Sequence, residues 1–377
     1  MKTAVVLSGG GSKGSYQLGV WKALRDLHIK YDIVTGTSIG AINGVFMCEK
    51  AYFKAKRIWK KLNLEYLFNK LPKSNKDFDV LKLFGENFLK NGGMDIKKIE
   101  TILENNVNKR KFYKSKIDFG LITYNFTTKK PLILTKDKIP SNKLIDYLMA
   151  SATCFPAFKM KEIDGDKYID GGYYDNLPIE LACNLGAEFL IVVDLGAIGL
   201  KKKPTKKVKQ ITIKPRNNIS FFLNFNEEEA KTNMNFGYND TMKAFKKLDG
   251  NKFTFRKDSL TKYYQDNKDN LLDKNEKSFL SSMEQLGKIF KLDESKIYSL
   301  KSFIKALNKK IKLEEAIDKK TTKKIKDLTS KINSKTLILF FLSNLENNKT
   351  QKRLSKIFSR EYKLAKYLRT LGVTYGK

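Results

Sequence analysis

The N-terminal stretch "AVVLSGGGSKGSYQLGVWKAL" is the feature that most constrains the fold of this chain. It begins with a short apolar run, residues 4–7, and passes through three consecutive glycines into a segment with helical periodicity. Glycine at the start of a helix lets a ligand come close to main-chain N–H groups. The ligands that use such a turn are a dinucleotide, a nucleotide phosphate or an oxyanion formed during acyl transfer.

The pattern from residue 4 to residue 193 alternates strands with helices. The segment "EIDGDKYID" indicates a tight hairpin turned at Asp164 and Gly165. Strands that alternate with helices indicate a mainly parallel sheet covered on both faces, so we predict a three-layer α/β fold. The other predicted strands cover residues 4–7, 33–34, 117–123, 131–135, 189–193 and 210–214, and the predicted helices cover residues 16–27, 39–48, most of 53–108, 144 to before Pro156, and 179–185.

The composition changes after residue 200, where the basic linker "KKKPTKKVKQ" follows the alternating region. We predict one domain over residues 1–250, with its motifs between residues 4 and 193, and a basic, mostly helical region of unassigned role over residues 251–377. Residues 301–333 contain 11 Lys and 4 acidic residues. Their apolar positions are core contacts between helices or the apolar face of a basic membrane-surface helix. These positions are Ile304, Leu307, Ile311, Ile325, Leu328 and Ile332.

The charge of the chain is strongly positive, with 74 Lys and Arg against 40 Asp and Glu and a net charge of +34. Such a surface attracts polyanions, namely nucleic acid or an anionic membrane, unless the lysines only keep the surface solvated. The basic stretches lack regularly spaced aromatic residues, and the sequence contains no RNA- or DNA-binding motif. We therefore expect no nucleic-acid partner. The net charge does not indicate an oligomeric state.

Neither the cysteines nor the apolar runs indicate secretion or membrane insertion. The three cysteines, Cys48, Cys154 and Cys183, have no CxxC spacing and fit reduced thiols better than disulfides or a zinc site. The N-terminal apolar run is too short for a signal peptide, and "LILFFL" is far below the ~18–20 residues of a membrane span. We expect a cytoplasmic protein that is peripheral at membranes.

The glycine motif fits a nucleotide site only partly. Gly9, Gly11 and Gly14 match G-x-G-x-x-G, but a dinucleotide site also needs an acidic residue at the carboxyl end of the second strand. The nearest acid, Asp32, stands at the start of that strand. A phosphate-binding P-loop requires Ser or Thr after its lysine, whereas Lys13 is followed by glycine. The sequence therefore supports neither nucleotide site.

The second predicted strand runs into "GTSIG", which matches the G-x-S-x-G nucleophile elbow. In this turn Gly36 and Gly40 make room for a sharp strand-to-helix transition that exposes the hydroxyl of Ser38. Ser38 would then lie at a helix N-terminus, whose partial positive charge favours an alkoxide-like nucleophile. A structural glycine turn that happens to contain a serine is the alternative.

The base that would activate Ser38 is not a histidine. His28, the only histidine, precedes the second strand. Since a strand rises ~3.3 Å per residue, we expect His28 at the opposite end of the sheet from Ser38. Asp170 ends a short predicted strand and is followed by Gly171 and Gly172, which let the loop approach another backbone closely. Burial of Asp170 would raise its basicity. From the residues alone the competing carboxylates are Asp164, Asp175 and Asp194.

An acyl-transfer site gives the N-terminal glycines a role. The amides of Gly9, Gly10 and Gly11 would form an oxyanion hole, and loss of one such donor typically costs ~3–4 kcal/mol of transition-state stabilisation. Consecutive parallel strands bring the glycine loop and the serine turn to the same edge of the sheet. Lys13 and Gly14 would support the geometry of the loop.

Three motifs in this order resemble those of the patatin-like phospholipase family. They are "GGGSKG" at residues 9–14, "GTSIG" at residues 36–40 and "DGG" at residues 170–172, and "MASATCFPAF" and "DNLPIELACNLGAEFLIVV" are similar to further segments of the family. The resemblance covers residues 4–193 closely and runs more loosely to residue 248. It implies a patatin-like hydrolase fold and a metal-independent Ser–Asp dyad, with Ser38 as nucleophile and Asp170 as proton acceptor.

The sequence thus predicts a serine hydrolase that cleaves fatty acyl ester bonds of phospholipids or related glycerolipids through an acyl-Ser38 intermediate. It predicts no cofactor and no metal, a lipid substrate, and transient contact with an anionic membrane surface. The alternative is a catalytically weak lipid-binding or membrane-surface protein on the same fold. Headgroup and acyl-position preference are not indicated by any residue.

Overall fold

The computed structural model describes residues 1–68, 74, 77–219, 221–271, 273, 275–318, 333–343 and 354–373. The chain divides into two compact units, Met1–Ala244 and Phe245–Lys377. The expected domain boundary after residue 250 stays a prediction, because compactness does not test independent folding. Each unit is described by itself.

The first unit follows the predicted alternation of strands and helices. Its strands are β1 Thr3–Leu7, β2 Ile33–Thr37, β3 Asp118–Asn125, β4 Lys130–Thr135, β5 Lys161–Ile163, β6 Asp166–Asp170, β7 Phe189–Val193 and β8 Lys209–Ile213. Its helices are α1 Ser15–Asp26, α2 Ile39–Cys48, α3 Tyr52–Lys61, α4 Leu64–Phe68, α5 Asp77–Asn91, α6 Lys97–Asn106, α7 Lys109–Lys114, α8 Leu144–Ala152, α9 Ile179–Asn184 and α10 Glu227–Ala244.

These strands form one mainly parallel sheet. Its neighbouring strands follow the order β5-β6-β3-β2-β1-β7-β8, and β4 also pairs with β3. The pairs among β3, β2, β1, β7 and β8 are parallel, whereas β4, β5 and β6 are antiparallel to their neighbours. The predicted α/β fold with a mainly parallel central sheet is confirmed.

The register along β3 brings the ends of β2 and β6 together. On one edge of β3, Ile122 pairs with Thr37 of β2, and the next residue, Thr123, pairs with Asp170 of β6. The other edge of β3 is occupied by β4 from residue 120 to residue 125, with Ile122 opposite Ile133. Strand β6 therefore continues the same edge where β2 stops, and the residues after Thr37 face the end of β6.

Helices cover both faces of the sheet because its strands are apolar on both sides. One face packs on α9 through a buried cluster that includes Ala4, Val6, Ile33 and Val192. On the other face α2 approaches so closely that a Cβ atom at Gly44 would lie 3.1 Å from Val34 and 3.0 Å from Phe119. This arrangement of helix, sheet and helix is the three-layer architecture that the alternating pattern indicates.

The second unit is mostly helical, as predicted, and also contains a small sheet that the sequence analysis missed. Its strands are β9 Leu248–Asp249, β10 Thr254–Arg256 and β11 Ile297–Tyr298, in the order β11-β10-β9. Its helices are α11 Ser259–Asn267, α12 Glu276–Ile289, α13 Leu300–Asp318, α14 Ser334–Ser343 and α15 Ser359–Thr370.

The apolar stripe of α13 packs into the core of the second unit. Leu307 and Ile311 are fully buried, and Ile304 packs against the same cluster. These positions are core contacts and not the face of a membrane-surface helix, whereas Ile325, Leu328 and Ile332 lie outside the described residues. Within the described parts of the chain, no helix is long and apolar enough to span a membrane.

Candidate active site

Ser38 occupies a strained turn between β2 and α2. Its backbone has φ 57° and ψ −128°, a conformation that L-residues rarely adopt. A Cβ atom at Gly36 would lie 2.3 Å from the carbonyl carbon of Gly40, and one at Gly40 would lie 2.4 Å from the carbonyl oxygen of Leu7. Both glycines of the G-x-S-x-G motif are therefore required by close backbone contacts, which hold Ser38 in this conformation.

Ser151 of α8 fixes the backbone of this turn. The N–H of Ser38 donates to Oγ of Ser151 at 2.9 Å, and that hydroxyl donates to the carbonyl of Ile122 at 2.6 Å. In the sequence, Ser151 stands in the segment "MASATCFPAF" and carries no signal that assigns it a role. Its contribution depends on a contact 113 residues away along the chain, which sequence periodicity does not reveal.

Asp170 lies next to Ser38, as the register of β2 and β6 along β3 requires. The side chain of Ser38 interacts with the carboxylate of Asp170 and lowers its pKa, and the same carboxylate accepts the N–H of Gly172 at 2.7 Å. Both residues are only 7% exposed. A Cβ atom at Gly171 would lie 2.1 Å from the carbonyl oxygen of Ile122, so this position must be glycine for the loop to pass over β3.

Burial raises the pKa of Asp170 to about 6 from an ordinary value of 3.8. The interaction with Ser38 and the hydrogen bond from Gly172 oppose this rise because they favour the ionised form. The carboxylate is therefore more basic than a free aspartate while remaining mostly ionised at neutral pH.

The other carboxylates considered from the sequence are engaged elsewhere. Asp164 forms an exposed ion pair with Lys143 at 2.6 Å. Asp175 accepts the N–H of Leu177 at 3.1 Å, and Asp194 pairs with Lys201 at 2.7 Å. Among the predicted candidates in the described part of the chain, Asp170 is the one whose carboxylate interacts with the side chain of Ser38.

The glycine loop after β1 approaches Ser38, but one of its three predicted oxyanion donors is wrong. The N–H of Gly9 donates to the carbonyl of Asn176 at 3.1 Å, so Gly9 is not a free donor. Gly10 and Gly11 line the cavity beside Ser38, and within the described residues their N–H groups have no hydrogen-bond acceptor. These two amides, without that of Gly9, are the donors available to an oxyanion.

Gly11 is held in place by its close approach to the backbone of Phe222. It has φ +55°, and a Cβ atom there would lie 2.0 Å from the carbonyl oxygen of Phe222. The N–H of Ser12 donates to the same oxygen at 2.8 Å. A glycine is therefore required at this position both by backbone conformation and by space.

Lys13 and Gly14 belong to the short 3-10 turn that leads into α1. The N–H of Lys13 donates to the carbonyl of Gly10 at 3.2 Å, and burial lowers the pKa of its ammonium. The carbonyl of Gly14 accepts from the side chain of Asn43 at 3.0 Å, and Asn43 in turn accepts from the indole N–H of Trp59 at 3.0 Å. This buried network ties the glycine loop to α2 and α3.

His28 and the three cysteines take no part in the Ser38–Asp170 contact. His28 lies in the turn that follows α1, before β2 begins, whereas Ser38 follows the end of β2. All three cysteines are free thiols, and Cys154 lines the wider cavity beside Ser38. Within the described residues, His, Cys, Asp and Glu side chains form no group of three or more that could hold a metal ion.

Two cavities meet at Ser38. The wider one has a volume of about 510 Å³ and reaches both Asp170 and the glycine loop. The narrower one has a volume of about 80 Å³ and runs between α2, α3 and α6 among apolar side chains such as Ile42, Trp59 and Leu103. Ser38, Gly11, Ala152, Phe158 and Phe225 line both.

Comparisons with known proteins agree with this description. Residues 5–183 match the family model of the patatin-like phospholipases. The chain is 28% identical over 205 residues to patatin-like phospholipase domain-containing protein 7 of Mus musculus, a match that covers 52% of this chain and 14% of that protein. It is 29% identical over 208 residues to lysophospholipase nte1 of Aspergillus terreus, covering 52% of this chain and 12% of that protein.

The chain thus matches only a small part of the length of these relatives. Among solved structures, the crystal structure of VipD from Legionella pneumophila aligns with 98% of this chain and 90% of that chain, at 13% identity and a TM-score of 0.39. That score is too low to support an inference about this protein. The resemblance predicted from the sequence is confirmed by the match of residues 5–183 to the family model of the patatin-like phospholipases.

Proposed function

We propose that this chain hydrolyses fatty acyl ester bonds of phospholipids or related glycerolipids, with Ser38 as nucleophile and Asp170 as its base. The single observation that carries the proposal is that the buried Ser38 side chain lies beside the buried Asp170 carboxylate, and lowers its pKa, at the junction of two cavities. A nucleophile and an adjacent base are the minimum that acyl transfer requires.

In the first step, Asp170 takes the hydroxyl proton while Oγ of Ser38 attacks the ester carbonyl carbon. The negative charge that develops on the carbonyl oxygen is stabilised by the N–H groups of Gly10 and Gly11, two residues that line the same cavity. Protonated Asp170 then returns the proton to the departing alcohol, which leaves the acyl group on Ser38. This order uses one carboxylate as both base and acid.

In the second step, water attacks the acyl-Ser38 ester and gives its proton to Asp170. The bond between Oγ and the acyl carbon breaks, the serine recovers its proton from Asp170, and the fatty acid departs. The backbone strain at Ser38 and the hydrogen bond from its N–H to Ser151 keep Oγ in place through both steps.

The two cavities support a lipid substrate. A cavity that begins at Ser38, runs between helices and is lined mostly by apolar side chains offers an acyl chain an environment with few polar groups to desolvate. The wider cavity, which contains Asp170, has room for the alcohol portion of the ester. A nucleophile between an apolar slot and a wider chamber matches the two dissimilar halves of a glycerolipid ester.

Lipid hydrolysis by wild type, Ser38→Ala and Asp170→Asn tests the proposal. We expect each variant to lose at least about a thousandfold in the rate of fatty acid release, since the pair acts as a unit. The matched control is Asp164→Asn, which makes the same change at a carboxylate that has an exposed ion pair. If both site variants matched wild type, the assignment would be wrong; if wild type bound lipid without turnover, the lipid-binding alternative would stand.

A further inference from the structure

The loop between β7 and β8, residues 194–208, presents apolar side chains to solvent at the mouth of the wider cavity. We call it the mouth loop. Ile198 is 94% exposed, the highest value for a large apolar side chain among the described residues, and Leu200 is 62% exposed. Both also line the cavity that contains Ser38 and Asp170. Exposed apolar side chains at the entrance of a site indicate a contact surface.

The mouth loop is held against the segment that follows Asp170 at the end of β6. The N–H of Leu200 donates to the carbonyl of Gly172 at 3.0 Å, and the N–H of Asn176 donates to the carbonyl of Leu200 at 2.6 Å. A Cβ atom at Gly199 would lie 2.7 Å from the side chain of Asn176. The outward position of Ile198 is therefore set by the backbone contacts of its neighbours.

Two further exposed aromatic side chains, one at the mouth of the cavity and one farther out, are linked through Phe155. Tyr173, which is 45% exposed and lines the cavity, donates its hydroxyl to the carbonyl of Phe155. The ring of Phe155 contacts that of Phe88 on α5, with 5.6 Å between ring centroids. Phe88 is itself 36% exposed. We refer to Tyr173, Ile198, Leu200 and Phe88 as the mouth patch.

A dense positive charge follows directly on the apolar part of the mouth loop. Residues 201–209, "KKKPTKKVK", contain six lysines and no acidic residue, and all six are exposed. Lys201 is paired with Asp194, while Lys202 lies 3.3 Å above the ring of Tyr174. Apolar side chains flanked by lysines match the boundary between acyl chains and anionic headgroups of a membrane.

We propose that the mouth patch docks on an anionic lipid bilayer, with Ile198 and Leu200 inserted among the acyl chains and the lysines of residues 201–209 against the headgroups. The occupant is a membrane because a protein groove would have to supply both an apolar pocket and a matching acidic surface. This inference rests on the proposed function, since it identifies the surface from which the Ser38 site takes its substrate.

Vesicle sedimentation with the inactive Ser38→Ala protein tests the proposal, because lipid turnover then cannot alter the vesicles. We expect binding to vesicles of equal parts phosphatidylcholine and phosphatidylglycerol, little binding to phosphatidylcholine alone, and weaker binding as salt is raised. In this background, Ile198→Asp/Leu200→Asp and Lys203→Glu/Lys206→Glu should each weaken binding about tenfold or more.

The second unit offers matched controls. Leu313→Asp places the same charge at an apolar side chain that is 52% exposed, and Lys309→Glu/Lys310→Glu reverses two exposed lysines of α13. These variants should bind vesicles as the parent does. If the mouth-loop variants bound vesicles as strongly as the Ser38→Ala parent, the proposal would be wrong and the mouth patch would be assigned to a protein partner. If the controls lost as much binding as the mouth-loop variants, the binding would be assigned to the overall charge of the chain.

A tryptophan at the proposed insertion point gives a readout that does not depend on affinity. Ile198→Trp should show a blue shift of tryptophan emission on mixing with the anionic vesicles, whereas Leu313→Trp should not. The native Trp21 and Trp59 are 3% and 4% exposed and are present in every variant, so the emission of the parent protein under the same conditions is subtracted. No shift at residue 198 in vesicle-bound protein would contradict insertion.

Failure of the proposed function is detected separately. Labelling of wild type by a fluorophosphonate in the absence of vesicles reports on the Ser38 site alone. Vesicle binding without labelling would support the docking surface and contradict the hydrolase assignment. Labelling without vesicle binding would support a reactive Ser38 and contradict the docking surface.

Discussion

Substitution of Asp170 by asparagine should stabilise the first unit at neutral pH while removing its proposed base. The folded protein holds a nearly buried carboxylate whose pKa is about 6, against an ordinary value of 3.8. A carboxylate whose pKa is raised by folding contributes stability at low pH that is lost as the pH rises through the folded pKa. Asparagine carries no charge and avoids this loss.

The magnitude follows from the difference between the two pKa values. From 3.8 to about 6, at about 1.4 kcal/mol for each pH unit, the buried charge lowers the free energy of unfolding by about 3 kcal/mol at high pH. About 2 kcal/mol of this decrease in the free energy of unfolding occurs between pH ~4.5 and pH ~7.5. The stability of Asp170→Asn relative to wild type should therefore rise by about 2 kcal/mol over that interval.

Urea denaturation followed by tryptophan fluorescence measures the free energy of unfolding of the first unit, which contains Asp170. Both tryptophans, Trp21 and Trp59, are buried within the Met1–Ala244 unit and report on its unfolding. Ser38→Ala serves as the companion variant, because it removes an interaction that favours the ionised form. That variant should lose more stability than wild type as the pH rises. A constant difference between Asp170→Asn and wild type across the interval would refute the argument from burial.

Three further predictions concern the surroundings of Ser38. Gly36→Ala should destabilise the first unit by about 3 kcal/mol or more, since its Cβ atom would lie 2.3 Å from a backbone carbon. Gly85→Ala, whose Cβ atom would meet nothing within 4 Å, should instead stabilise it by about 0.5–1 kcal/mol in the same denaturation assay. Ser151→Ala, which leaves the N–H of Ser38 without its acceptor, should slow fluorophosphonate labelling about tenfold and destabilise by about 1–3 kcal/mol; an unchanged labelling rate would remove Ser151 from the site. Ala55→Leu, which fills the apolar cavity from α3, should reduce hydrolysis of long-chain esters more than that of butyrate esters, and an equal reduction of both would count against an acyl chain in that cavity.

Much of this architecture follows from local sequence signals. The apolar runs of β1, β2 and β7 and the helical periodicity of α1 predict these elements to within a few residues. The G-x-S-x-G turn is also local, because its two glycines contact backbone within the same strand–turn–helix unit or its neighbouring strand. Elements of this kind are encoded by residues close together in the chain.

Other features depend on contacts that no local pattern specifies. The meeting of Ser38 with Asp170 comes from the register in which Thr37 and Asp170 pair with successive residues of β3. The hydrogen bond from Gly9 to Asn176 removes an expected oxyanion donor and joins segments far apart in sequence. Strands as short as β9 carry too few residues to show an alternation. For these features the tertiary pairing is decisive.

The covalent site of fluorophosphonate attachment, mapped by peptide mass spectrometry on the full chain, tests the central claim most directly. The account predicts a single adduct on Ser38, which is absent from the Ser38→Ala protein and from denatured wild type and forms more slowly in Asp170→Asn. An adduct on another residue, or an unmodified Ser38 under conditions in which the protein hydrolyses lipid, would contradict it.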